Sequence, residues 1–172
     1  MKPPPGSIVL RRATIDDVDA YLEYMERNRV FMAPFEPVRQ DDMFTKEWVA
    51  ARLAPDHLRC LYVATRNDRI IAQAMLGNFL RGAFQNATLG YSVDERENGR
   101  GIATALIGRI VTEAFEDHGL HRIEAGTLVH NLASQRVLQK NGFTRIGMSP
   151  RHLRIAGIWQ DHVIYARTAE RD

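Results

Sequence analysis

A chain of 172 residues suits one domain and can bury a full core. Charged residues make up 26% and the hydrophobic set 45%, with a formal net charge of only +2, an ordinary globular balance that argues against a dedicated nucleic-acid binder. No apolar stretch approaches bilayer length, so neither a transmembrane helix nor a membrane partner is expected.

Met1–Ser7 has a charge and three prolines but no apolar stretch, so it predicts a short extended N-terminal arm rather than a signal peptide. The domain proper is expected over 8–168. Ser7 to Ala13 predicts a first strand. Thr14-Ile15-Asp16-Asp17 has the form of a capping box, and the helix behind it carries Ile15, Val18, Leu22 and Met25 on one face. Residues 28–42, with Pro34 and Pro37, predict a loop. A second helix is expected from Thr45 to Leu53, ended by Pro55. Arg59 to Thr65 and Ile70 to Asn78 predict a hairpin across Asn67-Asp68. Cys60 is the only cysteine, which rules out an intramolecular disulfide and fits a reducing, cytoplasmic setting. Lying before the apolar run Leu61-Tyr62-Val63-Ala64, it reads as a small hydrophobe and not a nucleophile.

Thr88 to Val93 predicts a fourth strand, and Gly101 to Asp117 a long helix, apolar at Ala103, Leu106, Ile107, Ile110 and Ala114 and stopped by Gly119. Arg122 to Val129 predicts a fifth strand and Leu132 to Lys140 the last helix. Phe143 to Ile155 and Trp159 to Arg167 predict an antiparallel pair turning at Ala156-Gly157. Taken together, these elements predict a single α/β domain, a mixed and mostly antiparallel twisted sheet flanked by helices.

The richest local signal is Arg96-Glu97-Asn98-Gly99-Arg100-Gly101-Ile102-Ala103-Thr104, a turn between strand and helix. Its glycines allow backbone amides to curl toward a ligand, and the helix adds unpaired N-terminal amides and a positive dipole end. Such a construction binds phosphate or pyrophosphate. A second segment, Asn131-Leu132-Ala133-Ser134 through Asn141-Gly142-Phe143, begins with a capping Asn and stops at Asn-Gly.

With its spacing from the glycine turn, this segment resembles the GNAT superfamily of acyl-CoA N-acyltransferases. Pro34-Phe35-Glu36-Pro37-Val38-Arg39, Asn78-Phe79-Leu80-Arg81-Gly82-Ala83-Phe84, His121-Arg122-Ile123 and Gly157-Ile158-Trp159-Gln160-Asp161-His162-Val163 narrow the likeness to the ribosomal-protein alanine N-acetyltransferases, the RimJ/RimL group. The resemblance implies a GNAT fold and acetyl-CoA as acyl donor. Its contacts would come from Ser92, Val93, Arg96, Asn98, Gly99, Arg100, Gly101, Ile102, Ala103, Thr104, Asn131 and Ser134. It implies a protein N-terminus as acceptor, with a ribosomal protein as partner, and leaves a small amine (a polyamine or an aminoglycoside) and a homodimer open. A binding module without activity, either an acyl-CoA sensor or a ribosome-associated protein, is the reading from another class.

Acyl transfer to an amine needs a neutral nucleophile, a polarised thioester and a stabilised thiolate. Ser134, one helical turn past Asn131, is the expected donor to the thiolate. For the base, some relatives carry Glu on the fifth strand where this chain has Gly126. Glu124 lies two residues earlier on the same strand face. Asp161 and His162 are the other choices, and a water relay also remains open. Glu36 and Arg39, on a proline-stiffened loop, and Arg81 are expected to bind the acceptor. Phe31, Phe35 and Trp159 are expected to wall its cleft. Between Arg136 and Arg154 the chain also holds Lys140, Arg145 and Arg151 with no acid, a solvated face or a phosphate-steering one. The six His show no metal-ligand spacing, so no metal is expected. The glycine turn lacks the Gly-Lys-Ser/Thr of a nucleotide loop.

Overall fold

Alternating and continuous apolar runs set seven strands among the residues described, which are Pro4 and 6–170 of a computed structural model. They are β1 (Ile8–Arg12), β2 (Arg59–Arg66), β3 (Arg69–Leu80), β4 (Asn86–Val93), β5 (Arg122–Leu128), β6 (Thr144–Ile155) and β7 (Ile158–Thr168). Four helices, α1 (Val18–Met32), α2 (Lys46–Leu53), α3 (Ile102–Glu116) and α4 (Leu132–Lys140), complete the domain. The strands form one sheet in the order β1-β2-β3-β4-β5-β7-β6. All neighbours are antiparallel except β4 and β5.

β2 and β3 are buried along most of their length because helices cover both faces of the sheet there. They join through Asn67 and Asp68, both left-handed (φ 51° and 64°), the conformation a two-residue hairpin turn with matching twist requires. On one face, α3 buries Ile102, Leu106, Ile107, Ile110 and Ala114 against Ala74, Leu76, Ala87, Ile123 and Tyr165. Each of its large aliphatic side chains contributes about 1.5–3 kcal/mol of burial. On the other face, Tyr21, Tyr24 and Met25 of α1 pack with Val49 and Leu53 of α2 over Val63 and Ile70.

Differences from the expectations are local. The capping box forms, with the Thr14 N–H donating to Asp17 Oδ2 at 2.8 Å, but it opens a 3₁₀ turn (Ile15–Asp17) ahead of α1. Ile15, expected on the buried face, is therefore exposed. α1 also runs to Met32, into the segment expected to be loop. Asn28, which reads as a loop residue, is buried there. Its amide donates to the Tyr24 carbonyl at 2.9 Å, and its Oδ1 accepts from the Glu95 N–H at 3.0 Å. Near the N-terminus, the N–H and hydroxyl of Ser7 both donate to the Pro4 carbonyl, giving a turn where an extended arm was expected. The remainder of that arm, Met1 to Pro3 and Pro5, lies outside the described residues. Among the described residues no helix is long and apolar enough to cross a membrane.

Candidate active site

β4 and β5 pair only over Asn86–Thr88 and Arg122–Glu124, then part. β4 keeps β3 as its neighbour to Val93, and β5 keeps β7 to Leu128. The sheet therefore splits between the C-terminal halves of its two parallel strands, the edge where open α/β sheets bind ligands. The gap connects the α3–α4 face to the α1–α2 face. Its rims are the glycine turn after β4 and the start of α4 after β5.

Three ties hold the glycine turn. Asp94, buried at the end of β4, accepts from the Arg96 N–H (3.0 Å) and from Arg27 Nε of α1 (2.7 Å). Burial works to raise the Asp94 pKa, but that amide and that guanidinium outweigh it and hold the carboxyl below its usual range. The Glu95 N–H is fixed by Asn28, and Glu97 is gripped by Arg66 through two 2.8 Å contacts. Gly99 and Gly101 both have φ of 76°, where a side chain is strained. A Cβ on either would meet nothing within 4 Å, so backbone conformation demands glycine and the space above the turn is clear. The N–H groups of Ile102, Ala103 and Thr104 begin α3 without intrahelical partners, and its first turn contains no acid. The residues present fit a phosphate group held by backbone amides and a helix dipole.

The side chains named from sequence divide. Arg96 and Asn98 are exposed on the turn, while Arg100 folds back onto Glu97 at 3.0 Å. The Ser92 hydroxyl points to the α1 face, where it bonds Tyr24 (2.9 Å) and Gln73 (2.8 Å), so only its backbone lines the gap. Val93 packs into the α3-side core. Across the gap, Asn131 caps α4 by accepting from the Ser134 N–H at 3.1 Å. Ser134 Oγ lies 2.6 Å from the Tyr91 hydroxyl, which also donates to the Ser134 carbonyl at 3.1 Å. Burial pushes the Tyr91 phenol up to about 12, with the Ser134 bond pulling weakly the other way. It is a neutral donor at pH 7. Sequence reasoning missed Tyr91. Strand alternation places it on the α4 side, but its partner is 43 residues away and no local pattern links them.

The acceptor-side residues also divide. Glu36 and Arg39 form a 2.6 Å ion pair, and the Glu36 carbonyl accepts from the Ala156 N–H at the tip of the β6–β7 hairpin (3.0 Å). They line a cavity of about 220 Å³ with Tyr24, Met25, Asn28, Arg29, Met32, Val38, Phe44 and Ala156. Phe31, Phe35 and Trp159, expected as its walls, are not among the lining residues. Arg81 is elsewhere. It donates to the His118 carbonyl (2.7 Å) and stacks on Phe79, at the opposite end of β4 from the glycine turn.

Of the expected bases, Glu124 sits where β4 and β5 still pair, held by Arg122 Nε at 2.7 Å. Asp161 is a structural clamp. It accepts from the N–H of Arg151 (2.8 Å), whose left-handed φ of 49° marks the irregularity in the β6–β7 register between Ser149 and Leu153. Its neighbour His162 points to the other face of the strand and is 3% exposed. The basic residues from Arg136 to Arg154 are all exposed, as a solvated face would have them. Among the described residues no group of His, Cys, Asp or Glu could hold a metal ion.

Residues 7–144 match the Acetyltransferase (GNAT) domain family. The chain is 35% identical over 169 residues to the probable N-acetyltransferase YjcK of Bacillus subtilis, covering 93% of each. It is 30% identical over 164 residues to the ribosomal protein uS5-alanine N-acetyltransferase of Escherichia coli, over 90% of this chain and 84% of the relative. Among solved structures, the ribosomal-protein-S5-alanine acetyltransferase of Vibrio fischeri superposes with a TM-score of 0.91 at 29% identity, over 95% of this chain and 93% of that one. Mycobacterium smegmatis RimJ in complex with CoA-disulfide does so at 0.87 and 30%, over 97% and 84%. The chain belongs to the GNAT acetyltransferase family. It is an acetyl-CoA-dependent N-acyltransferase, with acetyl-CoA as the donor substrate.

Proposed function

We propose that this enzyme acetylates the free N-terminal α-amine of a protein, such as a ribosomal protein beginning with Ala or Ser, by direct attack on acetyl-CoA in a ternary complex. The observation that carries this reading is the state of the acid at the acceptor cavity. Glu36, the acid among its lining residues, is paired with Arg39. A polyamine needs unneutralised carboxylates, whereas a peptide end brings one ammonium and a row of carbonyls. The Glu36–Arg39 pair offers one group for each. The α-amine also suits a site with few bases. At a pKa near 8 it is roughly a tenth neutral at pH 7, against less than about a thousandth for a lysine near 10.4.

In this reading the amides of residues 99–104 hold the donor's phosphates and its acyl arm enters the gap between β4 and β5. The amine comes from the α1 face. Its nitrogen bonds to the thioester carbonyl carbon, the C–S bond breaks, and the thiolate meets the Ser134–Tyr91 hydroxyl pair. The test is a panel of acceptors: free-N-terminus peptides beginning with Ala, Ser, Met or Thr, the same peptides N-blocked with an internal Lys, and spermidine. Peptides with a free Ala or Ser should be acetylated fastest, their rate rising from about pH 6.5 to 8.5 as the amine loses its proton. Preference for spermidine or for N-blocked lysine peptides would refute the acceptor while leaving the family and donor unaffected.

A further inference from the structure

The face of the sheet opposite α3 carries two imidazoles that the reading above does not use. His162 of β7 and His152 of β6 stack with ring centroids 5.4 Å apart and planes tilted by 55°. They sit over Gly126 of β5, two residues past the last β4–β5 pair. A Cβ at Gly126 would lie 3.6 Å from His162 Cδ2 and 3.8 Å from His152 Cδ2. Both rings thus turn the edge that carries Cδ2 toward the bare backbone of β5 beside the gap. This is the α1 face. Thr88 is the direct neighbour of Glu124, so period-two alternation puts Gly126 on the same face as Ser92, which touches Tyr24 of α1.

The tautomer of His162 follows from its one hydrogen bond. Nδ1 lies 3.0 Å from the Gln160 carbonyl, which can only accept, so in the neutral ring Nδ1 carries the hydrogen and Nε2 keeps its lone pair. Nε2 makes no hydrogen bond among the described residues. His152 is exposed, its Nδ1 3.0 Å from Ser149 Oγ. One ring is inside and its neighbour outside, a route from the gap to solvent.

We infer that His162 is the base that takes the acceptor's proton, and that His152 passes it to water. This rests on the amine approaching from the α1 face. Attack of the neutral amine on the thioester carbon gives an ammonium nitrogen and an oxyanion. His162 Nε2 accepts one proton from that nitrogen. The oxyanion then re-forms the carbonyl, the C–S bond breaks, and the thiolate takes a proton from the Ser134–Tyr91 pair, which regains one from water. His162 returns its proton to solvent through His152, and the net change is one proton moved from nitrogen to sulfur.

Burial lowers the pKa of His162 below its usual value, and the His152 ring lowers it further. The Gln160 carbonyl and Asp161 on its own strand act in the other direction, and β5 opposes it only with Gly126 and Leu128. The ring is therefore neutral at pH 7, and its activity as a base is lost as pH falls through that lowered value.

The experiment is the pH dependence of kcat/KM with an Ala-terminal peptide, or with spermidine if the peptide is inert. That outcome would refute the acceptor reading while leaving this test intact. In the wild type, log kcat/KM should climb with a slope of two below the His162 pKa and of one from there to the amine pKa. His162→Asn keeps a donor for the Gln160 carbonyl but has no base. It should show a slope of one throughout and lose roughly a hundredfold in kcat at pH 7, with acetyl-CoA affinity unchanged. His152→Asn should keep the slope of two but move the break upward, because the His152 ring no longer disfavours the His162 imidazolium. A slope of two in folded His162→Asn overturns the assignment. If that variant does not fold, an unmoved break in His152→Asn overturns it instead, as does failure of the wild type to acetylate any amine.

Discussion

The glycine turn and the acceptor cavity meet at Asn28, which lines the cavity and accepts from the Glu95 N–H, yet they are built in opposite ways. The turn is a single run of chain from Asp94 to Thr104. Its chemistry is backbone amide and dipole, and its side chains serve mainly to anchor it, through Arg27, Asn28 and Arg66. The cavity gathers residues from α1, from the loop after it and from the tip of the β6–β7 hairpin, and its chemistry is carried by side chains. A site made of backbone can serve a constant donor across many relatives. A site made of side chains from distant segments can change acceptor without disturbing the fold.

Gly101→Asp should break this comparison hardest. It places a carboxylate and a strained left-handed side chain in the turn, and acetyl-CoA affinity by calorimetry should fall by at least roughly a hundredfold. Because a Cβ there meets open space, Gly101→Ala should cost only about 1–2 kcal/mol of backbone strain and lower Tm by a few degrees. Undiminished affinity in Gly101→Asp would mean that the phosphates sit elsewhere. Ser134→Ala comes next. With Tyr91 still able to donate, kcat should drop roughly tenfold, and the Ser134→Ala/Tyr91→Phe pair should lose about a hundredfold or more, with acetyl-CoA binding little changed. Wild-type turnover in the double variant would assign the leaving group to water. The smallest effects separate the residues expected at the acceptor. Glu36→Gln should raise the acceptor KM about five- to tenfold by removing one end of its ion pair, and Arg81→Ala should leave it within about twofold. A larger response at Arg81 than at Glu36 would move the acceptor away from the cavity.

The pattern of legibility follows the same division. Strand and helix order, the Asn67–Asp68 turn, the Thr14 capping box and the Asn131 cap were all readable, because each is decided by residues within about one helical turn or one hairpin of each other. The length of α1 was not, since Asn28 stays helical through a bond to Glu95, 67 residues away. Asp161 and His162 are adjacent in sequence and equally attractive as bases. Strand alternation sends one to clamp Arg151 and the other to face Gly126, and which face holds the site depends on where β4 and β5 part.

By itself, then, the sequence determined the order of elements, the glycine turn that demands left-handed backbone and the cap that starts α4, because these are matters of local conformation and hydrogen bonding. Only the tertiary structure decided that Tyr91 meets Ser134, that the Glu36 carbonyl meets Ala156 while Arg81 stays apart, and that two histidines converge on Gly126. Those contacts join segments separated by long stretches of chain. Their register is set by sheet pairing and by burial of the two cores, which no short window of residues encodes.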